Sequence, residues 1–127
     1  MLPTFCELAG TPSPEHTNGI SFVPELTGKG TQKKHEYLFW YFNERSGPMM
    51  AVRFGQWKAI QTWDSKKKQL GKLKLYNLDN DPSEKKDLSQ KLPEITQTAQ
   101  KFITQAWIED PNYPLIKMKA IPRTHNK

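Results

Sequence analysis

Four residues around one aromatic-rich stretch have side chains suited to binding an anion or a sugar. His35 precedes the stretch, and Asn43, Glu44 and Arg45 follow it in the segment NERSGP. A histidine near neutrality can donate a hydrogen bond to an anion, and arginine offers a planar fork that fits sulfate or carboxylate. Loops that follow strands commonly display binding groups. We take these four as candidate substrate-binding residues, with an ordinary surface position as the alternative for each.

Other side chains with binding chemistry have two explanations each. Arg53 and Lys58 would be neighbours across a tight turn, either as an anion site or as a solvated basic pair. Trp40, Trp57 and Trp63 could stack on a sugar ring, although tryptophans in strands usually lie in the core. The second explanation is favoured in both cases.

The sequence contains no recognisable catalytic or metal-binding set. His16, His35 and His125 are scattered, without the spacing of a metal site. The run Asp79-Asn80-Asp81 lacks the glycine and distal glutamate of a calcium loop, so capping explains it better. Cys6 is the only cysteine, which excludes an internal disulfide and a thiolate cluster. We expect no catalytic residue, metal or cofactor within this chain.

Composition limits the classes of partner. The 127 residues suffice for one core, and no apolar run approaches the ~20 residues of a membrane helix. The formal charge of +6 invites an anionic partner, but the lysines stand in short runs that a solvated surface explains. We expect neither a membrane nor a nucleic acid as the main partner.

The candidate residues flank a stretch, His35 to Thr62, that should form most of a sheet. It is the densest apolar segment of the chain. Aromatic residues on both parities predict a first strand covered on both faces, and NERSGP predicts a turn. Alternation predicts a second strand, and a Gly-Gln pair suits a type II′ hairpin to the third. These strands are Glu36 to Phe42, Met50 to Phe54 and Trp57 to Thr62.

The flanking segments complete an α+β pattern. We predict a short helix (1–10), an irregular segment (11–32), a basic loop (64–72), a fourth strand (73–78), a helical turn (79–88) and a long helix (93–107). Short connections imply a four-stranded antiparallel sheet with the long C-terminal helix packed on one face. We divide the chain into a lead-in segment (1–32), the sheet with its helix (33–109) and a tail (110–127).

One helix cannot cover both faces of such a sheet. Leu38, Trp40 and Phe42 would point one way, and Tyr37, Phe39 and Tyr41 the other. The uncovered apolar face predicts a homodimer, formed through that face or by exchange of terminal segments.

Ordered motifs along the chain resemble the C-terminal part of type I sulfatases, which belong to the alkaline phosphatase superfamily. They are Leu2 to Thr4 with Glu7 to Gly10, Gly19 to Gly28, Ala51 to Ile60, and Leu75 to Leu88. In that family a large α/β domain carries the chemistry, and a smaller antiparallel sheet with a long helix packs against it. The resemblance implies that the uncovered face is buried on the larger domain or lines its cleft.

The resemblance also implies where the chemistry lies. The family's nucleophile is a formylglycine made within a C/S-x-P-x-R motif, beside a calcium ion held by carboxylates. Cys6 stands in FCELAG, which is not that motif. We therefore expect the formylglycine and the calcium in a missing N-terminal domain, and we expect this chain alone to be inactive. A secreted parent enzyme would be periplasmic or extracellular.

The leading hypothesis is the C-terminal part of a sulfatase that hydrolyses sulfate esters, on sulfated sugars, with this chain as one wall of the substrate cleft. One alternative is a stand-alone basic module that binds anionic glycans or nucleic acid. The other is the C-terminal part of a phosphate or phosphonate ester hydrolase of the same superfamily.

Overall fold

The computed structural model describes residues 1–44 and 47–108. The chain forms two compact units: Met1–Glu36, called the N-terminal unit, and a sheet unit that begins at Tyr37. Within the described residues, no helix has both the length and the apolar character needed to cross a membrane. The division at residues 32 and 109 stays a prediction, and the tail 110–127 lies outside the described residues.

The N-terminal unit contains helix α1 (Leu2–Leu8) and helix α2 (Val23–Thr27). Thr4 is buried, and its Oγ1 accepts a hydrogen bond of 3.1 Å from the backbone N–H of Phe22, which joins the two helices. The short first helix is confirmed. Helix α2 corrects the prediction of an irregular segment: Pro24 lies in its first turn, and Gly28 ends it at φ 67°.

The sheet unit is an antiparallel sheet with one long helix, so the predicted α+β class is confirmed. Its elements are β1 (Leu38–Glu44), β2 (Gly47–Phe54), β3 (Trp57–Asp64), β4 (Gln69–Leu70), β5 (Lys74–Asn77) and α3 (Pro93–Ala106). The first three strands pair in sequence order, and β3 then pairs with β5 near its start and with β4 at its end. Strand β4 corrects the prediction of a plain loop over 64–72.

The connection between β2 and β3 and the start of β2 follow from local residue chemistry. Gly55 has φ 51° and Gln56 has no positive φ, as the predicted type II′ turn between β2 and β3 requires. Strand β2 begins at Gly47, three residues before the predicted start, and Pro48 pairs with Asn43. A proline is tolerated there because the beginning of a strand can lack one ladder hydrogen bond.

The core lies between α3 and one face of the sheet. Its buried side chains are Met50, Val52, Ala59, Leu73, Leu75, Ala99, Phe102 and Ile103. The rings of Tyr37 and Phe54 pack on Phe102, with centroid distances of 4.5 and 5.2 Å. The apolar stripe predicted for the long helix therefore supplies one side of the core.

The segment between β5 and α3 contains a turn at Asp81–Glu84, but this turn is not helical as Asp81-Pro82 with Glu84 predicted. The backbone N–H of Glu84 bonds to the carbonyl of Asp81 at 3.1 Å, which closes a single turn. Glu84 itself has φ 53°, a left-handed conformation that cannot continue a right-handed helix. Its carboxylate does not reach back to a helix start, because it pairs with Lys58 instead.

Candidate functional site

The face of the sheet opposite α3, called the outer face, exposes large apolar side chains. Leu38, Trp40, Phe42 and Met49 are 41%, 43%, 53% and 41% exposed. The first three come from β1, and the register aligns Phe42 with Met49 of β2. Their neighbours in sequence pack on the other side, where the ring of Tyr41 contacts Trp107 at 4.8 Å. The predicted split of the aromatic strand between a covered and an uncovered face is confirmed.

At the end of the outer face near the Gly55 turn, one row of residues changes from apolar to basic across the sheet. Leu38 aligns with Arg53, and Arg53 with Lys58 on β3, so the predicted Arg53–Lys58 neighbours are confirmed. Lys58 Nζ forms an ion pair with Glu84 Oε1, which fastens the segment after β5 to β3. Lys58 is therefore a structural cation, whereas Arg53 is exposed.

The four candidate binding residues are distributed between the two units. His35 is exposed in the N-terminal unit, and Asn43 is exposed near the end of β1. The backbone of Glu44 pairs with that of Gly47, which places Asn43 and Glu44 together at the turn between β1 and β2. Arg45 lies outside the described residues. Their role in substrate binding stays a prediction.

A tryptophan packs closely against the first residue of β2. Gly47 has φ 98°, and a side chain there would overlap the ring of Trp63. Only glycine combines that conformation with so close an approach. Trp63 therefore packs at the start of β2, and Trp57 packs against the core. Of the three tryptophans considered for stacking, Trp40 alone belongs to the outer face.

Two carboxylates in the segment after β5, those of Asp81 and Asp87, accept hydrogen bonds from backbone N–H groups. Burial raises the pKa of Asp87, but the N–H groups of Ser89 and Leu75 outweigh it, so the pKa lies below its usual range. Their hydrogen bonds to Asp87 Oδ1 are 2.9 and 3.1 Å long. The N–H groups of Lys86 and Lys85 likewise lower the pKa of Asp81. The segment is thus pinned to β5 by Asp87.

Hydrogen bonds of this kind also occupy the side-chain oxygens around the run Asp79–Asp81, which was considered as an ion-binding segment. Asn77 Oδ1 accepts hydrogen bonds from the N–H groups of Asp79 and Asn80, and Asp81 Oδ2 accepts one from Lys86. These oxygens of Asn77 and Asp81 face backbone donors, which agrees with the capping role predicted for the run Asp79–Asp81. Across residues 1–44 and 47–108, no group of three His, Cys, Asp or Glu residues is placed to hold a metal ion.

Comparison with known proteins identifies the family. Residues 1–110 match the family model described as N-sulphoglucosamine sulphohydrolase, C-terminal. This chain belongs to that family. The resemblance of its motifs to the C-terminal part of sulfatases is thereby confirmed, and residues 1–110, which include both units, form a sulfatase C-terminal domain.

Two curated relatives of this sulfatase domain are much longer proteins. A Delta 4,5-hexuronate-2-O-sulfatase of Bacteroides thetaiotaomicron is 29% identical over 136 aligned positions, which cover 99% of this chain and 27% of the relative. Arylsulfatase K of Bos taurus is 29% identical over 133 positions, covering 98% and 23% respectively. The chain thus spans about a quarter of the length of these relatives.

The fold of the sulfatase domain also occurs beyond sulfatases. The solved phosphonate monoester hydrolase of Agrobacterium radiobacter matches 81% of this chain and 23% of its own, with a TM-score of 0.62 and 19% identity. At that identity the likeness concerns the fold alone. The fold of this domain therefore does not distinguish sulfatases from phosphonate ester hydrolases.

Proposed function

We infer that this chain is the C-terminal part of a sulfatase that hydrolyses sulfate esters of sulfated sugars, and that it forms one wall of the substrate cleft. The supporting observation is the exposed outer face on a domain that spans a quarter of its relatives' length. Such a face needs a covering surface, and in this proposal the remaining part of the sulfatase supplies it.

The energetics of the outer face favour a permanent interface. Its four large apolar side chains expose roughly 350 Å² together, a patch of the size that marks interaction sites. Burying that area would contribute roughly 9 kcal/mol at about 25 cal/mol per Å², before the costs of association. Arg53, on the same face, would take a carboxylate of the covering surface or of the substrate.

The reacting groups belong, in this proposal, to the part of the sulfatase outside this chain. The formylglycine would supply the nucleophile, and calcium would stabilise the developing charge. Asp87 Oδ1 and Asp81 Oδ2, in the segment after β5, accept hydrogen bonds from backbone N–H groups, which supports a structural role for these two carboxylates. Residues of this chain would bind and orient the substrate: His35 and Arg45 as donors to sulfate, and Asn43 and Glu44 as partners of sugar hydroxyls.

Release of inorganic sulfate tests the proposal. Sulfated oligosaccharides are incubated with the 127-residue chain and with the complete protein encoded by its gene, and sulfate is measured by ion chromatography. We expect release by the complete protein and none by the chain alone. A complete protein that lacks the C/S-x-P-x-R motif and releases no sulfate would overturn the proposal.

A phosphonate or phosphate ester hydrolase is the second candidate, because a phosphonate monoester hydrolase shares the fold. The same complete protein is assayed with sulfate, phosphate and phosphonate esters of one alcohol. A preference for the sulfate ester supports the leading proposal, and a preference for the phosphonate supports the alternative.

A further inference from the structure

Four lysines lie close together in sequence at the hairpin between β3 and β4. Lys66, Lys67, Lys68 and Lys72 are all exposed, and we call the segment Ser65–Lys72 the lysine hairpin. The nearest carboxylate in sequence, Asp64, accepts the backbone N–H groups of Lys66 and Lys67 at 3.0 and 3.1 Å. It therefore caps the turn, and none of the four lysines forms an ion pair within the part of the chain that the structure describes.

The lysine hairpin is an ordered part of the sheet unit. Gly71 donates its N–H to the carbonyl of Thr62 at 2.8 Å, and Gln61 Nε2 donates to the carbonyl of Gly71 at 2.9 Å. Strand β4 also pairs with the end of β3. Because hydrogen bonds already hold the backbone of the hairpin, binding at these lysines costs less conformational entropy than binding at a flexible tail would.

The surroundings of the lysines indicate the class of anion. Between Ser65 and Lys72 the only large apolar side chain is Leu70, which is half-buried and packs against the core. Proteins that bind single-stranded nucleic acid usually combine a basic groove with aromatic side chains on which bases stack, and amphipathic membrane-binding segments add apolar side chains that insert. The hairpin offers neither, only closely spaced ammonium groups.

We propose that the lysine hairpin binds a sulfated glycan chain through successive sulfate groups. This inference rests on the proposed function, because sulfated sugars are the polyanions that a sulfatase would meet. Binding at Lys66, Lys67, Lys68 and Lys72 holds a long substrate chain against the sheet unit by charge, without reading its sugar sequence.

Titration of the 127-residue chain with a size-defined heparin oligosaccharide tests the proposal. Affinity is measured by calorimetry from about 0.05 to 0.4 M NaCl, since counterion release makes each contact visible as salt dependence. One variant replaces Lys66, Lys67 and Lys68 with glutamine. The matched control replaces Lys29, Lys33 and Lys34, three exposed lysines of the N-terminal unit, and loses the same charge.

We expect the hairpin variant to bind at least tenfold more weakly and the log–log salt slope to fall by roughly two. The control should lose less than threefold in affinity, and arginine at the three hairpin positions should retain binding. Equal losses in the hairpin and control variants would mean that net charge alone attracts the glycan, which overturns the proposal.

Further titrations distinguish the polyanion. Fully desulfated heparin of the same length should bind weakly, and an oligothymidylate or vesicles rich in phosphatidylserine should show no dependence on the three lysines. If the oligothymidylate or the vesicles bind as tightly as heparin and this binding depends on the three lysines, the assignment to sulfated glycans is overturned.

The outcome is separable from that of the proposed function. Sulfate release by the wild-type complete protein, with heparin binding that ignores the three lysines, would overturn only the inference about the hairpin. Lysine-dependent heparin binding by a protein that releases no sulfate would overturn the proposed function and leave the glycan surface in place.

Discussion

Replacing Trp40 with glutamine should weaken self-association of the 127-residue chain. Trp40 is the largest side chain that the outer face exposes, at 43%. In the absence of a covering domain, two copies can bury their outer faces on each other, and a twofold contact would use Trp40 from both. The substitution leaves the core untouched, because the side chain points away from α3.

The magnitude follows from the exposed area. A tryptophan presents up to about 250 Å², so 43% exposure leaves roughly 100 Å² per copy and roughly 200 Å² per dimer. Complete burial would contribute roughly 5 kcal/mol at about 25 cal/mol per Å². If half of that area is buried, glutamine should raise the dimer dissociation constant roughly 60-fold.

Light scattering over a dilution series measures the effect. The wild-type chain should remain dimeric to lower concentrations than Trp40→Gln, and the control Phe5→Gln, at an exposed position of the N-terminal unit, should behave as wild type. Identical dilution curves for wild type and Trp40→Gln would refute the reasoning. So would a wild-type monomer that binds no hydrophobic dye, because its face would then be covered within the chain.

Three further predictions concern the sheet unit. Met50→Ala should lower the free energy of unfolding by about 3 kcal/mol because Met50 is fully buried, whereas Met49→Ala should change it by less than about 1 kcal/mol. Urea titration measures both, and equal effects would contradict the register of β2. Gly47→Ala should cost at least about 2 kcal/mol because it combines φ 98° with an overlap on Trp63; an unchanged thermal midpoint would argue against that packing. The lowered pKa of Asp87 means that its contribution to stability is complete above the unfolded value of about 3.9 and is lost as pH falls through the folded value. Asp87→Asn should therefore flatten the fall in stability below about pH 4, and a variant with the wild-type acid profile would contradict this role.

Local patterns in the sequence predicted the three long strands, the long helix and the two faces of the sheet. Residue alternation separated Met50 and Val52 from the outer face, and the spacing of apolar residues predicted α3. A glycine at the right turn position predicted the hairpin at Gly55. These features depend on neighbours within a few residues, which sequence periodicity reports directly.

Features that depend on distant residues could not be predicted in the same way. The Asp81-Pro82-x-Glu84 pattern is common to helix starts and to turns, and the ion pair of Glu84 with Lys58, 26 positions away, accompanies the turn. The role of Asp87 also needs the N–H of Leu75 on β5. Its short-range signal, an aspartate two residues before Ser89, is visible in the sequence but is common in turns.

The candidate site was predictable only in part. Asn43 and Glu44 lie together at the end of β1 because they are adjacent, whereas His35 belongs to the N-terminal unit. The lysines of the hairpin suggested a plain solvated loop, since the pairing of β4 with the end of β3 involves only two residues. A strand that short carries no periodicity to detect.

Oxidation of the adjacent methionines Met49 and Met50 tests most directly whether the outer face is an interface of a larger sulfatase. Met49 is 41% exposed on the outer face, and Met50 is fully buried in the core, so Met50 is an internal control. Dilute peroxide followed by mass spectrometry reports the rate at each sulfur, and exposed methionines react faster. In the dilute 127-residue chain Met49 should oxidise much faster than Met50. In the complete protein Met49 should be protected at least tenfold, whereas an unchanged rate at Met49 would contradict the account.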